Sequence, residues 1–311
     1  LPGVLATLAT GFDFTAKHFW LVLLPALVDI FFWLGPRLSF RPLIERWVGF
    51  AQQQGVPMAG IDLNVLLTVA PLTNLFSSLS VPFLGVPALM MWIMPEKTPV
   101  SPVVWELNSV WLWAGLFLVF SVAGLALTAV YYGLIVRSLR GKPGRYSFPL
   151  ELLLNWLKLL GLGLLFLTTL FVIYMPLLVV GVLVGMFSFS LASLVILAGP
   201  MLAIWLVIYF FFAPQGIFWH GRPLLAALWE SMQLVRRYFL SATGLLLMIF
   251  ILNRLLDNVL LIADDGSWLT FASIVGHAYI STAMIVATLI FYRDRYADMR
   301  FQAQQTGSSS S

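Results

Sequence analysis

The sequence contains no cysteine, only three histidines and few charged residues. Without cysteine the chain has no disulfides, thiolate metal sites, iron–sulfur clusters or cysteine nucleophile. Charged residues make up 10% of the chain, against about 25% in soluble domains. The sequence patterns of P-loop proteins, zinc peptidases and nucleophile-elbow hydrolases are also missing. We therefore expect neither a metal site nor enzymatic activity.

Apolar side chains dominate the remaining composition. Hydrophobic residues account for 61% of the chain, above the roughly 45–50% of soluble domains, and aromatic residues for 15%. Apolar runs of about 20 residues are long enough to cross a bilayer as helices. We predict an all-α polytopic membrane bundle with six spans: Phe19–Leu34, Val110–Val136, Leu159–Met186, Leu191–Ala213, Ala242–Ile262 and Trp268–Tyr292.

The third and fourth spans are separated only by the short segment 187–190. A connection this short predicts a tight antiparallel hairpin. The sequence Gly181-x-x-x-Gly185 near the end of the third span is typical of close helix contact, and we expect that contact inside the hairpin.

The distribution of basic residues predicts the orientation in the membrane. Placing the N-terminus in the cytoplasm leaves twelve of the 17 Lys and Arg residues on the cytoplasmic side. This favours a multi-pass protein of the bacterial cytoplasmic membrane with both termini cytoplasmic. Because the net charge of +4 follows membrane topology, it does not indicate a nucleic-acid partner.

The segment 36–108 is apolar but is interrupted by prolines and serines. One additional span here would reverse every later loop and move the basic loop 137–158 outside, against the charge rule. We expect either a re-entrant segment or an apolar cap on the outer surface. If the segment is a hairpin of two full spans, the number of spans becomes eight.

Two turns of similar sequence follow the aromatic ends of spans, at Gly141-Lys142-Pro143 and Gly221-Arg222-Pro223. Each precedes a Leu- and Trp-rich segment, which predicts amphipathic helices lying in the cytoplasmic interface. In the second helix we predict an apolar stripe of Leu224, Leu228, Met232, Val235 and Phe239, with Glu230, Gln233, Arg236 and Arg237 away from it. Arg222, Arg236 and Arg237 are the candidate contacts with lipid headgroups.

This second helix resembles the cytoplasmic helix of a broad group of bacterial six-span proteins. That group is similar to the membrane domain attached to some glycerophosphodiester phosphodiesterases. The group's pattern Ala-Leu-x-x-Ser-x-x-Leu-Val-x-x-x-Phe is matched by Ala227, Leu228, Ser231, Leu234, Val235 and Phe239, and its closing Tyr-x-Asp-x-Arg stretch by 291–300. The resemblance covers the C-terminal two thirds of the chain; it implies the six-span architecture and no assigned chemistry.

Charged residues inside the predicted spans are the sharpest candidate site. Arg254 and Asp257 stand three residues apart in the fifth span, beside Asn253 and Asn258, at a spacing that lets them pair on one helix face. Asp29 of the first span is a further partner for Arg254. Such residues mark either a gate, relay or anionic-substrate contact, or an ion pair that locks helix packing.

His277 lies inside the sixth span, after Gly276 and one turn beyond Ser273. A small residue one turn before a membrane histidine leaves room for a haem or chlorophyll macrocycle. The alternative is a histidine hydrogen-bonded to a neighbouring helix. We predict no cofactor, with a tetrapyrrole at His277 as the exception that a visible spectrum tests.

These observations predict one membrane domain over 1–300, with 36–108 as its outer segment, and a flexible cytoplasmic tail over 301–311. The leading functional hypothesis is a non-catalytic accessory, assembly or scaffold subunit of a bacterial membrane complex. Its expected partners are the bilayer and other membrane subunits. The alternatives are a transporter or channel using Arg254 and Asp257, and a pigment- or haem-binding subunit.

Overall fold

A computed structural model describes residues 1–53, 63–82, 84–91, 98–141, 147–260 and 267–308. The predicted all-α bundle is confirmed. Its α-helices are α1 (Val4–Lys17), α2 (Leu23–Leu34), α3 (Arg41–Gln53), α4 (Leu63–Val69), α5 (Val110–Arg140), α6 (Phe148–Gly185), α7 (Phe189–Phe210), α8 (Ala213–His220), α9 (Leu224–Arg237), α10 (Phe239–Leu260) and α11 (Leu269–Ser308).

Four stretches are long and apolar enough to cross a membrane: α5, α6, α7 continued by α8, and α11 up to Gln305. Two more crossings are formed only if a bent helix pair counts as one span. The helices of these pairs meet at 95° for α1 with Phe19–Leu34 and at 101° for α9 with α10. The chain thus has four to six candidate spans in its described part, consistent with a multi-pass membrane protein.

The first predicted span differs most from the structure. Phe19–Val22 is a 3₁₀ turn and α2 has 12 residues, which at 1.5 Å per residue is about 18 Å of helix. The hydrocarbon core of a bilayer is about 30 Å thick, so α2 alone is too short to cross it. The sequence prediction missed α1, the 14-residue helix before this turn.

The chain forms two compact units. The first comprises Leu1–Gly11, Val136–Phe250 and Ile285–Ser311, and the second comprises Phe12–Ile135 and Ile251–Met284. In the first, α1, α9, α10 and α11 share a core around Phe212, Leu234, Leu245 and Phe291. In the second, α2, α11 and the 3₁₀ turn Leu89–Met91 share a core around Phe32, Trp33, Met90 and Ile274.

The α6–α7 hairpin lies in the first unit and is confirmed at its glycines. A Cβ added to Gly181 would lie 3.0 Å from the Ile196 side chain, and one added to Gly185 would lie 3.5 Å from Ala192. Ser188 begins α7, its hydroxyl accepting the N–H of Leu191. The close helix contact that Gly181 allows is therefore the contact between α6 and α7.

The described part of 36–108 contains only short elements. Arg37–Ser39 (β1) and Val104–Glu106 (β2) form a parallel pair in which Leu38 lies opposite Trp105. Between them are α3, α4 and three 3₁₀ turns, Ala70–Leu72, Leu75–Leu79 and Leu89–Met91. The longest of these elements, α3, has 13 residues, too few to cross a bilayer.

The C-terminal helix is longer than predicted. Its 40 residues would extend about 60 Å, roughly twice the thickness of the hydrocarbon core. It continues as a helix through Ser308, which covers most of the segment 301–311 for which the sequence predicts a flexible tail.

Candidate functional site

Asp29 is fully buried within α2, and both of its carboxylate oxygens bind main-chain amides. Oδ2 accepts the N–H of Leu89 at 2.9 Å and Oδ1 accepts the N–H of Met90 at 2.9 Å. These amides belong to the first residues of a 3₁₀ turn, which have no acceptor within the turn. A carboxylate is the strongest acceptor available for such donors, so Asp29 fixes this turn against α2.

His277 of α11 faces the same carboxylate. Its Nδ1 lies 3.7 Å from Asp29 Oδ2, and its Nε2 lies 3.3 Å from the hydroxyl oxygen of Ser281, one helical turn later. The 3.7 Å separation is an ion-pair distance, longer than a hydrogen bond.

The order carboxylate, imidazole, hydroxyl is also that of nucleophilic catalysis. Ser281 is only 4% exposed and His277 only 6%, so a substrate does not reach the hydroxyl oxygen in this arrangement. Both ring nitrogens of His277 face protein groups. A tetrapyrrole metal at His277 would therefore have to displace Ser281 or Asp29.

The groups that Asp29 binds differ from the partner expected from the sequence. Asp29, expected to face Arg254, instead binds Leu89, Met90 and His277, because the 84–91 segment packs directly against α2. The Arg254 side chain is exposed on α10, and Asn253 Oδ1 is buried without a hydrogen-bond partner among the described residues. The side chains of Asp257 and Asn258 lie outside the described part of the structure, so the pairing of Arg254 with Asp257 stays a prediction.

In the first unit, α9 is amphipathic as predicted, but its buried face differs. The buried residues are Ala227, Leu228, Ser231, Leu234 and Val235. Of the predicted stripe, only Leu228 and Val235 are buried, and Met232 is exposed. Tertiary contacts select this face: the Ser231 hydroxyl donates to the Tyr209 carbonyl and accepts the N–H of Phe212.

Glu230 does not lie on an outward basic face, contrary to the prediction. It is 2.9 Å from Arg222 Nε and accepts a hydrogen bond of 3.1 Å from the hydroxyl of Tyr292. Arg222 and Arg300 both donate to the Tyr296 hydroxyl. The hydrogen bond with Tyr296, helped by the negative charge of Glu230, raises the pKa of Arg222, so its guanidinium stays charged.

Basic residues predicted to line a cytoplasmic loop cap the end of α8. Arg140 donates to the carbonyl oxygens of Phe218 (2.7 Å) and Trp219, and Lys158 Nζ donates to that of Gly221 at 2.9 Å. The last carbonyls of a helix lack partners within it, and cations are favoured there. Arg140 and Lys158 therefore stabilise the turn that precedes α9.

Arg236 and Arg237, the remaining lipid-contact candidates, are exposed in the last turn of α9, where Arg237 donates to Gln302 of α11. Sequence reasoning missed the roles of Glu230, Tyr292, Tyr296 and the main-chain amides of Leu89 and Met90. The Tyr-x-Asp-x-Arg pattern was the one available signal, because it marks Tyr296 and Arg300 one helical turn apart.

Within the described residues, no three His, Asp or Glu side chains form a group that could hold a metal ion. Comparison of the chain with protein-family models, with curated proteins and with solved structures finds no match in any of the three. The resemblance to the six-span group therefore stays a prediction. What the chain does has to be argued from its own side chains.

Proposed function

We propose that this protein is a non-catalytic accessory, assembly or scaffold subunit of a membrane complex. One observation carries this proposal: several buried or partly buried polar side chains of the described residues hold the protein's own backbone. Asp29 binds two amides, the side-chain oxygen of Asn74 accepts the amides of Leu38 and Phe76, and Arg140 binds two carbonyls. Groups used in this way stabilise a fold and are not directed toward a substrate.

The α6–α7 hairpin offers the surface for other subunits. Its outer side chains are apolar and exposed along the length of both helices, with Phe171 61% and Leu194 65% accessible. In a bilayer such a surface is covered by lipid or by the helices of other proteins. The small residues Gly181 and Gly185, which allow helices to approach closely, contact α7 within the hairpin and do not belong to this outer surface. We infer that partner helices pack on this outer side.

Photo-crosslinking tests the proposal. A photoreactive phenylalanine at Phe171 or at Leu194 should give discrete protein adducts in the membranes where the protein is naturally made. Those adducts should persist when the membranes are diluted by fusion with excess lipid, whereas collisional adducts at the equally exposed Leu118 of α5 should fade. Lipid adducts alone at both hairpin positions would contradict a subunit role.

The charge pattern supports a placement in the bacterial cytoplasmic membrane with both termini cytoplasmic. The second candidate function, a transporter or channel, is favoured by the position of the 75–79 turn. Gly124 is 14 residues into α5, about 21 Å along the helix, and a Cβ there would lie 2.2 Å from the Leu79 carbonyl oxygen. If α5 crosses the bilayer, irregular backbone lies at membrane depth. This favours a re-entrant segment over a surface cap.

Irregular backbone at that depth occurs where it is buried in protein or lines a water-filled path. With Asp29 and His277 beside the 89–91 turn, the relevant substrate is a proton or small cation. In liposomes, wild-type protein should then conduct protons or monovalent cations, and His277→Gln should abolish the flux without changing the unfolding temperature. The exposed carboxylate variant Asp13→Asn serves as the control. Flux no higher than that of empty liposomes removes this candidate.

A further inference from the structure

The α9 helix carries a second apolar face, opposite the one that packs into the first unit. Leu225, Trp229 and Met232 are 73%, 61% and 37% exposed. At 3.6 residues per turn these three side chains and Arg236 fall within a sector of about 60°. A helix on a water-facing surface carries polar residues on its outer side. The exposed stripe of α9 is apolar, so we expect it to face an apolar environment and not water.

The course of the chain supplies that environment. The axis of α9 turns by 101° into α10. If α10 crosses the bilayer, α9 runs along the membrane surface, with the exposed stripe facing away from the protein core. Tryptophan is enriched at the level of the lipid headgroups, and Trp229 lies at the centre of the stripe. A helix in this position reaches into the boundary between headgroups and acyl chains.

Cations stand at both ends of the stripe. Arg222 lies just before α9 and is paired with Glu230, and Arg236 and Arg237 stand in the last turn of the helix, which is about 21 Å long. The residues of the first unit include eleven of the 17 Lys and Arg and four of the 13 Asp and Glu, a net charge of +7. This charge is complementary to lipids whose headgroups carry a net negative charge, whereas the phosphate of phosphatidylcholine is neutralised by its own choline.

We propose that the outer face of α9 binds anionic phospholipids. Leu225, Trp229 and Met232 contact the upper acyl chains, and Arg236 and Arg237 contact headgroup phosphates. This assignment is independent of whether the protein is a complex subunit or a transporter, because it concerns lipid and not a protein partner or a transported ion.

Lipid titration of the purified whole protein in detergent tests the charge part of the proposal. Phosphatidylglycerol should bind more tightly than phosphatidylcholine, as read by native mass spectrometry. In the double variant Arg236→Gln/Arg237→Gln, each cation removed should raise the dissociation constant for phosphatidylglycerol about fivefold. Arg293→Gln removes an exposed charge of the same unit outside α9 and should leave binding unchanged.

Three outcomes would overturn the proposal. Equal binding of the two lipids would mean that charge does not select the ligand. Unchanged binding by the double variant would place the lipid elsewhere. Competition by inorganic phosphate at concentrations comparable to the lipid would show a phosphate site in place of a phospholipid site.

The absence of cysteine allows a separate test of depth. Nitroxide labels are placed at Trp229→Cys, at Phe171→Cys as a lipid reference and at Gln304→Cys as an aqueous reference, all at exposed positions. In vesicles of mixed phosphatidylglycerol and phosphatidylcholine, the label at 229 should have oxygen accessibility between the two references. A label at 229 as accessible to a water-soluble relaxation agent as the one at 304 would contradict the proposed lipid contact.

Discussion

At the scale of single residues, the polar side chains of this apolar chain bind backbone groups that would otherwise lack partners. Asp29 accepts two amides of a 3₁₀ turn, and Asn74 accepts the amides of Leu38 and Phe76. Buried backbone donors are costly to leave unpaired, so each of these side chains stabilises irregular chain that apolar packing alone would not hold.

Replacing Asp29 by Asn should destabilise the protein by about 1–3 kcal/mol, because one amide of Leu89 or Met90 loses its acceptor and the group stays buried. Denaturant or thermal unfolding in detergent measures the change. Asp13→Asn, an exposed carboxylate of the same unit, should unfold like the wild type. Equal stability of the Asp29 and Asp13 variants would show that the capping bonds contribute little.

Gly221 ends α8 with a φ of +66°, in the left-handed region. Gly221→Ala should lower the free energy of unfolding by about 1–2 kcal/mol, because a residue with a Cβ is strained at this φ. The strain comes from the backbone alone, since no other atom lies within 4 Å of the Cβ position. Gly49→Ala is the matched control. It lies inside α3, and a Cβ added there would also have no atom within 4 Å. Its replacement by Ala should raise the free energy of unfolding by up to about 1 kcal/mol, because Ala has the higher helix propensity. Unfolding changes of the same sign for both variants would contradict the role of backbone conformation.

At the scale of elements, the glycines that open the two Gly-basic-Pro turns share a positive φ, but different helices follow them. Gly141 has a φ of +62°, close to that of Gly221. After the second turn, α9 is a separate helix that bends into α10, as predicted. After the first, α6 begins at Phe148 and continues without a break through Gly185, so no separate interfacial helix forms there. The similarity of the two sequences therefore extends to the turn glycines and not to the helices that follow.

The packing of the 75–79 turn against α5 depends on the absence of a side chain at Gly124. Gly124→Ala would place a Cβ 2.2 Å from a main-chain oxygen, which cannot rotate away as a flexible side chain does. We expect the free energy of unfolding to fall by about 1–3 kcal/mol or the turn to be displaced. Gly115→Ala on the same helix has nothing within 4 Å and should be tolerated. Both variants are compared by unfolding temperature and by the protease susceptibility of 75–91. Equal results for the two variants would contradict a close contact between Gly124 and the 75–79 turn.

At the scale of the whole molecule, charge is divided unequally between the two units. The first has a net charge of +7, and the residues of the second, with six basic and nine acidic side chains, have −3. A division of this kind is what the positive-inside rule produces when basic loops stay on the cytoplasmic side.

Single cysteines test this orientation directly in a chain that has none. In intact cells made permeable only at the outer membrane, Arg41→Cys and Glu106→Cys should react with an impermeant maleimide. Lys17→Cys and Gln304→Cys should react only after the cytoplasmic membrane is opened. The reverse pattern would invert the orientation, and labelling of all four in intact cells would exclude the membrane topology altogether.

Local information in the sequence was sufficient for the class of the protein, for four of the six predicted spans and for the turn glycines. Helix formation in apolar runs and the φ preference of glycine depend on neighbouring residues, so the chain specifies them locally. The predicted spans Phe19–Leu34 and Ala242–Ile262 each fall in a bent helix pair. A bend occupies only a few residues, and hydropathy averaged over a window of about 20 residues does not resolve it.

Only the tertiary structure decided which side chains meet. Asp29 with His277, Glu230 with Tyr292, and Gly124 with Leu79 are far apart in the chain. Long helices that are apolar nearly all round have no single face marked for burial, so their periodicity does not predict which neighbour each side receives. The sequence therefore determined that this protein is a helical membrane protein with one strongly basic half. Packing between distant segments determined where its few buried charges lie.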